Sequence, residues 1–198
     1  MTLYALILAG GRGSRLGTVR KGEIRIGGTR LLDRVTAKLA EANLLVSTGP
    51  DDYIGTTRGV RIADEGADFA GPMAGIRAAV SYLRPQAQPE DLLVTVAVDT
   101  PFLPVDFTPR LIAALDAGAN AAFASWGEGF YPTNAIYRIS ALFAHLAEHN
   151  PDSPKRLLQG LGALAVDWNA LAPQNPFANL NTLVDLIALG RRAMAEGK

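Results

Sequence analysis

An α/β sandwich with a mostly parallel sheet is the fold this sequence predicts. Three observations predict it. Short apolar runs alternate along the chain with segments whose apolar residues recur at three and four positions, as strands joined by crossover helices do. The run Leu92–Val98 (LLVTVAV) is apolar at almost every position, as a central parallel strand covered on both faces must be. The chain has 198 residues, 48% hydrophobic and 19% charged, which suffices for one full core. A single domain over residues 1–198 is expected, because no repeat, low-complexity stretch or linker interrupts it.

The elements follow in order. Leu3–Ala9 (LYALILA) reads as the first strand. Leu31, Leu32, Val35 and Leu39 share one helical face. Leu44–Ser47 is a short second strand and Gly59–Ala63 a weaker third. Gly71-Pro72 opens a helix to about Leu83, striped by Met73, Ile76, Val80 and Leu83. After Leu92–Val98 come a helix at Leu111–Leu115 and a strand at Ala121–Ser125. The pattern loosens beyond Gly127, with a strand at Phe130–Tyr137 and a helix at Ile139–His149. Ser153-Pro154 supplies a cap and a first-turn proline for a helix stopping at Gly160. Thr182 to Asp185 fits a capping-box variant opening a last helix. Arg84–Asp91 reads as a polar loop.

Composition excludes several classes. The chain has no cysteine, so a disulfide scaffold, thiolate zinc, an iron–sulfur cluster and a cysteine nucleophile are all ruled out. Nineteen basic residues balance nineteen acidic ones, which argues against a nucleic-acid partner. No apolar run is long enough for a membrane span. Leu3–Ala9 is short and lacks a basic leader, so it reads as a strand rather than a signal peptide. A soluble cytoplasmic protein is expected.

The chemistry gathers after the first strand. Gly10-Gly11-Arg12-Gly13-Ser14-Arg15-Leu16-Gly17 follows it directly. Glycines let backbone N–H groups approach phosphate oxygens, and arginines add charged donors. The spacing Gly11, Gly13, Gly17 fits neither G-x-G-x-x-G nor a Walker A loop, so this is a phosphate cradle of another kind or a plain glycine-rich turn. Lys21 lies just past it, one of four lysines, and is either a phosphate ligand or a surface charge. Asp99 ends the central strand in Val98-Asp99-Thr100-Pro101. Ligands bind at such carboxyl ends, and one carboxylate there suits Mg²⁺ that also takes phosphate oxygens. The plain alternative is a turn aspartate.

Taken together, Leu8-Ala9-Gly10-Gly11 with Arg15, Gly17 and Lys21-Gly22, Gly71-Pro72-Met73-Ala74-Gly75, Asp99-Thr100-Pro101 and Asn179-Leu180-Asn181-Thr182 resemble the MobA family of molybdenum cofactor guanylyltransferases, in order and over nearly the whole chain. The resemblance implies a Rossmann-like three-layer α/β/α sandwich of the nucleotide-diphospho-sugar transferase kind. It implies transfer of GMP from GTP to molybdopterin bearing molybdenum, with release of pyrophosphate and with Mg²⁺ as cofactor. By resemblance, Leu8, Ala9, Gly10, Gly11, Gly13, Lys21, Asp64 and Asp99 are nucleotide-binding. Lys21, Arg15 and Asp99 carry catalysis, Asp99 binds the metal, and Asn179 and Asn181 lie on the pterin side. Cofactor-delivery or acceptor enzymes are further partners it suggests.

Three positions depart from the family pattern. Arg20 stands where aspartate is usual, Ser47 where asparagine is, and Leu183 where proline is. Rival readings are a cytidylyltransferase making the cytosine form of the cofactor, a sugar-phosphate nucleotidyltransferase, and a non-catalytic binder of nucleotide or cofactor. The LAGG opening and Lys21-Gly22 favour guanine over the first.

Three further features need placing. His145-Leu-Ala-Glu148-His149 fits the H-x-x-E-H zinc signature, but it ends a short helix without a third ligand motif and reads as a solvated helix terminus. Lys155 and Arg156 suit a pterin phosphate or a solvated basic face. Trp126 and Trp168 suit pterin stacking or ordinary packing.

Overall fold

A computed structural model describes residues 1–10, 12–13, 19–49, 58–63 and 71–196, with backbone alone for residues 12, 13 and 196. Gly11, Arg15 and Asp64 from the expected site lie outside the described residues.

The chain runs β1 (Leu3–Leu8), β2 (Arg12–Gly13), β3 (Val19–Arg20), a 3₁₀ turn (Lys21–Glu23), β4 (Arg25–Ile26), β5 (Thr29–Arg30), α1 (Leu31–Lys38), β6 (Asn43–Ser47) and β7 (Val60–Ile62). It continues through α2 (Pro72–Leu83), β8 (Leu92–Ala97), α3 (Phe107–Asp116), β9 (Ala121–Trp126), β10 (Gly129–Arg138), α4 (Ile139–Glu148), α5 (Pro154–Gly160), β11 (Leu164–Asp167) and α6 (Leu183–Glu196).

Seven of these strands form one sheet in the order β11-β9-β10-β8-β1-β6-β7. β1 pairs in parallel with both β6 and β8, and β11 with β9. β10 alone runs against its neighbours. The reason is local: β9 and β10 are joined by a hairpin opening at Gly127, whose φ of 56° a residue with a Cβ adopts at a cost. The mostly parallel sheet expected from the sequence is therefore interrupted at one strand.

Period-two alternation divides the core. Ala5, Ile7, Val94 and Val96 face α1, α3 and α6 through Leu31, Leu32, Val35, Phe107, Leu111 and Leu189. Leu6, Leu45 and Leu93 face α2, α4 and α5 through Ile76, Val80, Leu142, Leu157 and Leu158. The result is a helix layer on each side of the sheet. No helix among the described residues is long and apolar enough to cross a membrane.

The strand order also fixes where a ligand fits. From β1 the chain builds outward through β6 and β7, then returns to the other side of β1 as β8. The order reverses between β1 and β8, and a crevice opens outside the carboxyl ends of the strands at such a reversal. The loop carrying Lys21 leaves β1, and Asp99 leaves β8.

Candidate functional site

The exit of β1 is pressed against the end of β6. Ala9 donates its N–H to the Ser47 carbonyl at 2.9 Å, and Val98 donates to the Leu8 carbonyl at 3.2 Å. Gly10 has no room for a side chain, because a Cβ there would lie 2.7 Å from the Gly49 nitrogen. Gly75 is similarly constrained, since its Cβ would fall 2.5 Å from Ser47 Oγ. A small residue at 47 and a glycine at 75 thus let the first turn of α2 settle on the end of the sheet. Ser47 is buried there.

The described residues on either side of the glycine loop pair with each other. Arg12 pairs with Arg20 and Gly13 with Val19 in an antiparallel ladder. That return places Lys21 in its 3₁₀ turn, with Gly22 packed toward Leu32 and Val98. Of the expected site, Leu8, Ala9, Gly10 and the Gly13 backbone belong to this β1 exit and its hairpin.

Lys21 Nζ donates to Asp99 Oδ2 at 2.6 Å and to Asn181 Oδ1 at 2.7 Å. The Lys21 and Asp99 side chains are 16% and 13% exposed. Three segments far apart in sequence therefore converge on one ammonium group. Asp99 is pinned on its other side, where its carbonyl accepts the Leu180 N–H at 3.1 Å. Leu180 is buried while Asn179 and Asn181 are exposed. The late segment is anchored by its leucine and presents both asparagines outward.

The capping box at α6 holds Asn181 in place. Asp185 Oδ2 accepts from the N–H groups of Asn181 at 3.0 Å and Thr182 at 2.8 Å, and Thr182 Oγ1 accepts the Asp185 N–H at 3.2 Å. Burial alone raises the Asp185 carboxyl pKa. The hydrogen bonds from Asn181 and Thr182, with the Lys21 charge, outweigh it and hold the pKa below the usual carboxylate value. A depressed folded pKa contributes stability above the unfolded pKa of about 4 and loses it as pH falls through the folded value. Asp185→Asn is expected to lower stability by about 1 kcal/mol at neutral pH. The gap to wild type should narrow as pH falls below about 4, read by thermal melts from pH 7 to pH 3; a gap independent of pH contradicts this. Leu183 stands exposed at the first helical position of α6, where proline is equally at home.

The remaining candidates each have partners of their own. Trp168 is 1% exposed, packs on Phe107 and Phe177, and gives its indole N–H to Asp106 Oδ1 at 3.0 Å. Trp126 gives its indole N–H to the Ala172 carbonyl at 3.0 Å. Lys155 sits 5.8 Å from the Phe130 ring centroid, and Arg156 pairs with Asp152 at 3.2 Å in the open. His145 and His149 stack at 4.5 Å. Burial first, and the charge of His149 second, lower the His145 pKa against the opposing pull of Glu148. No group of three or more His, Asp or Glu side chains suited to a metal occurs among the described residues.

Asp99 and Asn181 nevertheless present hard oxygens to one point beside Lys21. Mg²⁺ commonly takes one or two carboxylates and fills its remaining positions with water and substrate phosphates. The donor chemistry fits that ion.

Comparison with known proteins fits this geometry. Residues 5–166 match the MobA-like NTP transferase domain. The chain belongs to that family. A molybdenum cofactor guanylyltransferase of Rhodobacter capsulatus is 35% identical over 188 residues, covering 94% of each chain. One from Ralstonia nicotianae is 33% identical over 202 residues, covering 96% of this chain and 97% of that one. Among solved structures, molybdopterin-guanine dinucleotide biosynthesis protein A of Archaeoglobus fulgidus superposes with a TM-score of 0.73 at 22% identity, covering 97% and 99%. The Francisella tularensis 2-C-methyl-D-erythritol 4-phosphate cytidylyltransferase gives 0.66 at 12% identity, covering 97% and 100%. MobA-like chains and cytidylyltransferases thus share this sandwich, and the chain is a nucleotidyltransferase by family.

The sequence had no reading for three features. The edge strand β11 is short and mostly exposed, without a clean apolar alternation. The β2–β3 hairpin has two residues in each arm, too few for a period. Asn134, buried beside the Asp99 turn, lies inside an apolar-looking strand. Its one signal is Pro132 two residues earlier, which breaks a ladder.

Proposed function

We propose that this chain transfers GMP from GTP to molybdenum-bearing molybdopterin, giving the guanine dinucleotide form of the cofactor and pyrophosphate. The observation that carries the reading is the convergence of Lys21, Asp99 and Asn181 at the sheet's reversal point, in a chain whose full-length relatives bear the guanylyltransferase name.

The acceptor brings its own nucleophile. A terminal phosphate monoester is largely dianionic at neutral pH, since its second pKa is about 6. One of its oxygens attacks the α-phosphorus of GTP, the bond from that phosphorus to the bridging oxygen breaks, and pyrophosphate leaves with the electron pair. No general base is required. The protein's task is to align two polyanions and offset their charge.

In this reading Leu8, Ala9 and the backbone donors of Gly10, Gly11 and Gly13 bind the nucleotide. Lys21 and Arg15 stabilise the leaving pyrophosphate. Asp64 serves the guanine nucleotide, and Asn179 with Asn181 the pterin side. Asp99 is the residue to hold Mg²⁺, which supplies charge neutralisation across the phosphates when bound. In the resting protein Lys21 neutralises Asp99, so nucleotide entry exchanges one ionic partner for another.

Guanine presents an N1–H and an amino group on one edge. A site with acceptors for both rejects a base lacking them, because buried acceptors are left unpaired. GTP is therefore expected to outcompete CTP and ATP by at least tenfold, in calorimetric binding with Mg²⁺ and in transfer to molybdopterin. A preference for CTP would assign the cytidylyl reaction instead. Equal weak binding of all three, without transfer, would make the chain a non-catalytic binder.

A further inference from the structure

β10 carries an irregularity next to the site. Its register with β9 jumps from Tyr131 opposite Ala124 to Ala135 opposite Phe123, so Pro132, Thr133 and Asn134 fall within a single step of β9. Pro132 has no N–H to give the ladder, and bulges of this kind re-aim side chains near functional sites.

On its other side, β10 pairs with β8 only from Ala135 opposite Thr95 onward. The Ala97 N–H therefore lacks a backbone partner from β10. The Asn134 side chain takes that place, with Oδ1 accepting the Ala97 N–H at 3.0 Å. The donor is a backbone amide, so the facing atom must be the carboxamide oxygen.

Ala97 begins the turn that carries Asp99. Thr100 closes that turn, with its N–H reaching the Ala97 carbonyl at 3.2 Å. The Thr100 hydroxyl lies 2.6 Å from the Ala97 carbonyl and 3.3 Å from Asn134 Oδ1. One buried oxygen thus touches both ends of the turn, while Leu180 pins its middle through the Asp99 carbonyl. Asn134 is fully buried, and its Nδ2 has no hydrogen-bond partner among the described residues.

We propose that Asn134 is a positioning residue for the transfer reaction, setting the Ala97–Thr100 turn so that the Asp99 carboxylate is aimed at Lys21 and the phosphates. The inference rests on the guanylyltransferase reading. The oxygen carries the contact and the nitrogen is an unpaired donor in the core. Asn134→Leu removes that unpaired donor while leaving another, the Ala97 N–H. The two changes offset, so stability should stay close to wild type while the turn loses its anchor.

The test compares wild type, Asn134→Leu and, as a control, Thr95→Val. Thr95 is buried on β8, the strand that ends at Ala97, with its hydroxyl facing the Ala135 carbonyl rather than the turn. Calorimetry measures the affinity for GTP in the presence of Mg²⁺, which does not depend on the fraction of active protein, and kcat and KM for GTP are measured alongside. Asn134→Leu should bind Mg–GTP at least tenfold more weakly and lose tenfold or more in kcat, with a melting temperature within a few degrees of wild type. Thr95→Val should match wild type in both. Affinity and kcat within twofold of wild type in a folded Asn134→Leu protein overturn the proposal, as does an equal loss in Thr95→Val. If Asn134→Leu does not fold, Thr100→Val decides: a several-fold weaker affinity supports the proposal, and an unchanged one overturns it. A wild-type protein that fails to transfer GMP overturns the guanylyltransferase reading itself, and the inference with it.

Discussion

Lys21→Ala is expected to slow GMP transfer about a hundredfold while leaving the fold intact. The rate effect follows from what the ammonium group does. Charge builds on the leaving pyrophosphate as the bond to the α-phosphorus breaks, and one preorganised donor aimed at such charge is worth about 3 kcal/mol. Preorganisation is visible in the resting protein, where Asp99 Oδ2 and Asn181 Oδ1 hold Nζ from two sides at 2.6 and 2.7 Å. The stability effect should be smaller. Both partners of the Lys21–Asp99 pair keep some contact with solvent, at 16% and 13% exposure, and Asp99 can be hydrated once the lysine is gone. Partly exposed pairs contribute about 1 kcal/mol. Turnover and melting temperature on the same preparation check both halves, and a folded variant within threefold of wild-type turnover would remove Lys21 from the machinery.

How much of this was legible in the sequence depends on the length scale of the signal. α2 was readable from its Gly71-Pro72 start and its apolar stripe, and it forms over Pro72–Leu83 with Met73, Ile76, Val80 and Leu83 buried. β8 was readable because a strand covered on both faces shows as an unbroken apolar run. The capping box at Thr182 and Asp185 was readable because its hydrogen bonds span three residues. Lys21 and Asp99 were readable one at a time, each from the strand that precedes it, but not as a pair. Their contact spans 78 residues, and no local pattern encodes it. The third partner, Asn181, is placed on the pterin side by resemblance, and nothing in its local sequence shows that its side-chain oxygen accepts from Lys21. Asn134 was the least legible. A polar residue in an apolar strand ordinarily points to solvent, and only the bulge after Pro132 turns this one inward. Trp168, open in the sequence to stacking or to packing, packs in the core and gives its indole N–H to Asp106.

Asp99→Asn is expected to separate nucleotide binding from catalysis. The substitution keeps the shape of the side chain and removes its charge. A metal ion that neutralises developing phosphate charge is worth several kcal/mol, so losing its anionic ligand should slow GMP transfer on the order of a thousandfold. Binding should respond differently with and without Mg²⁺. In wild type the Asp99 carboxylate occupies Lys21 Nζ at 2.6 Å and offsets its charge. Asparagine leaves an oxygen that can still accept from Nζ, but the ammonium charge is no longer neutralised. GTP alone should therefore bind the variant at least as tightly as it binds wild type, whereas Mg²⁺ should cease to strengthen the complex. The fold should be nearly indifferent, because Lys21 keeps Asn181 as a partner and the turn keeps its bonds from Leu180 and Asn134. Calorimetric titrations of GTP with and without Mg²⁺, set beside single-turnover transfer rates, read all three quantities. A variant that gains affinity from Mg²⁺ as wild type does, and transfers GMP at the wild-type rate, would return Asp99 to the role of a turn residue whose carboxylate serves only to hold Lys21.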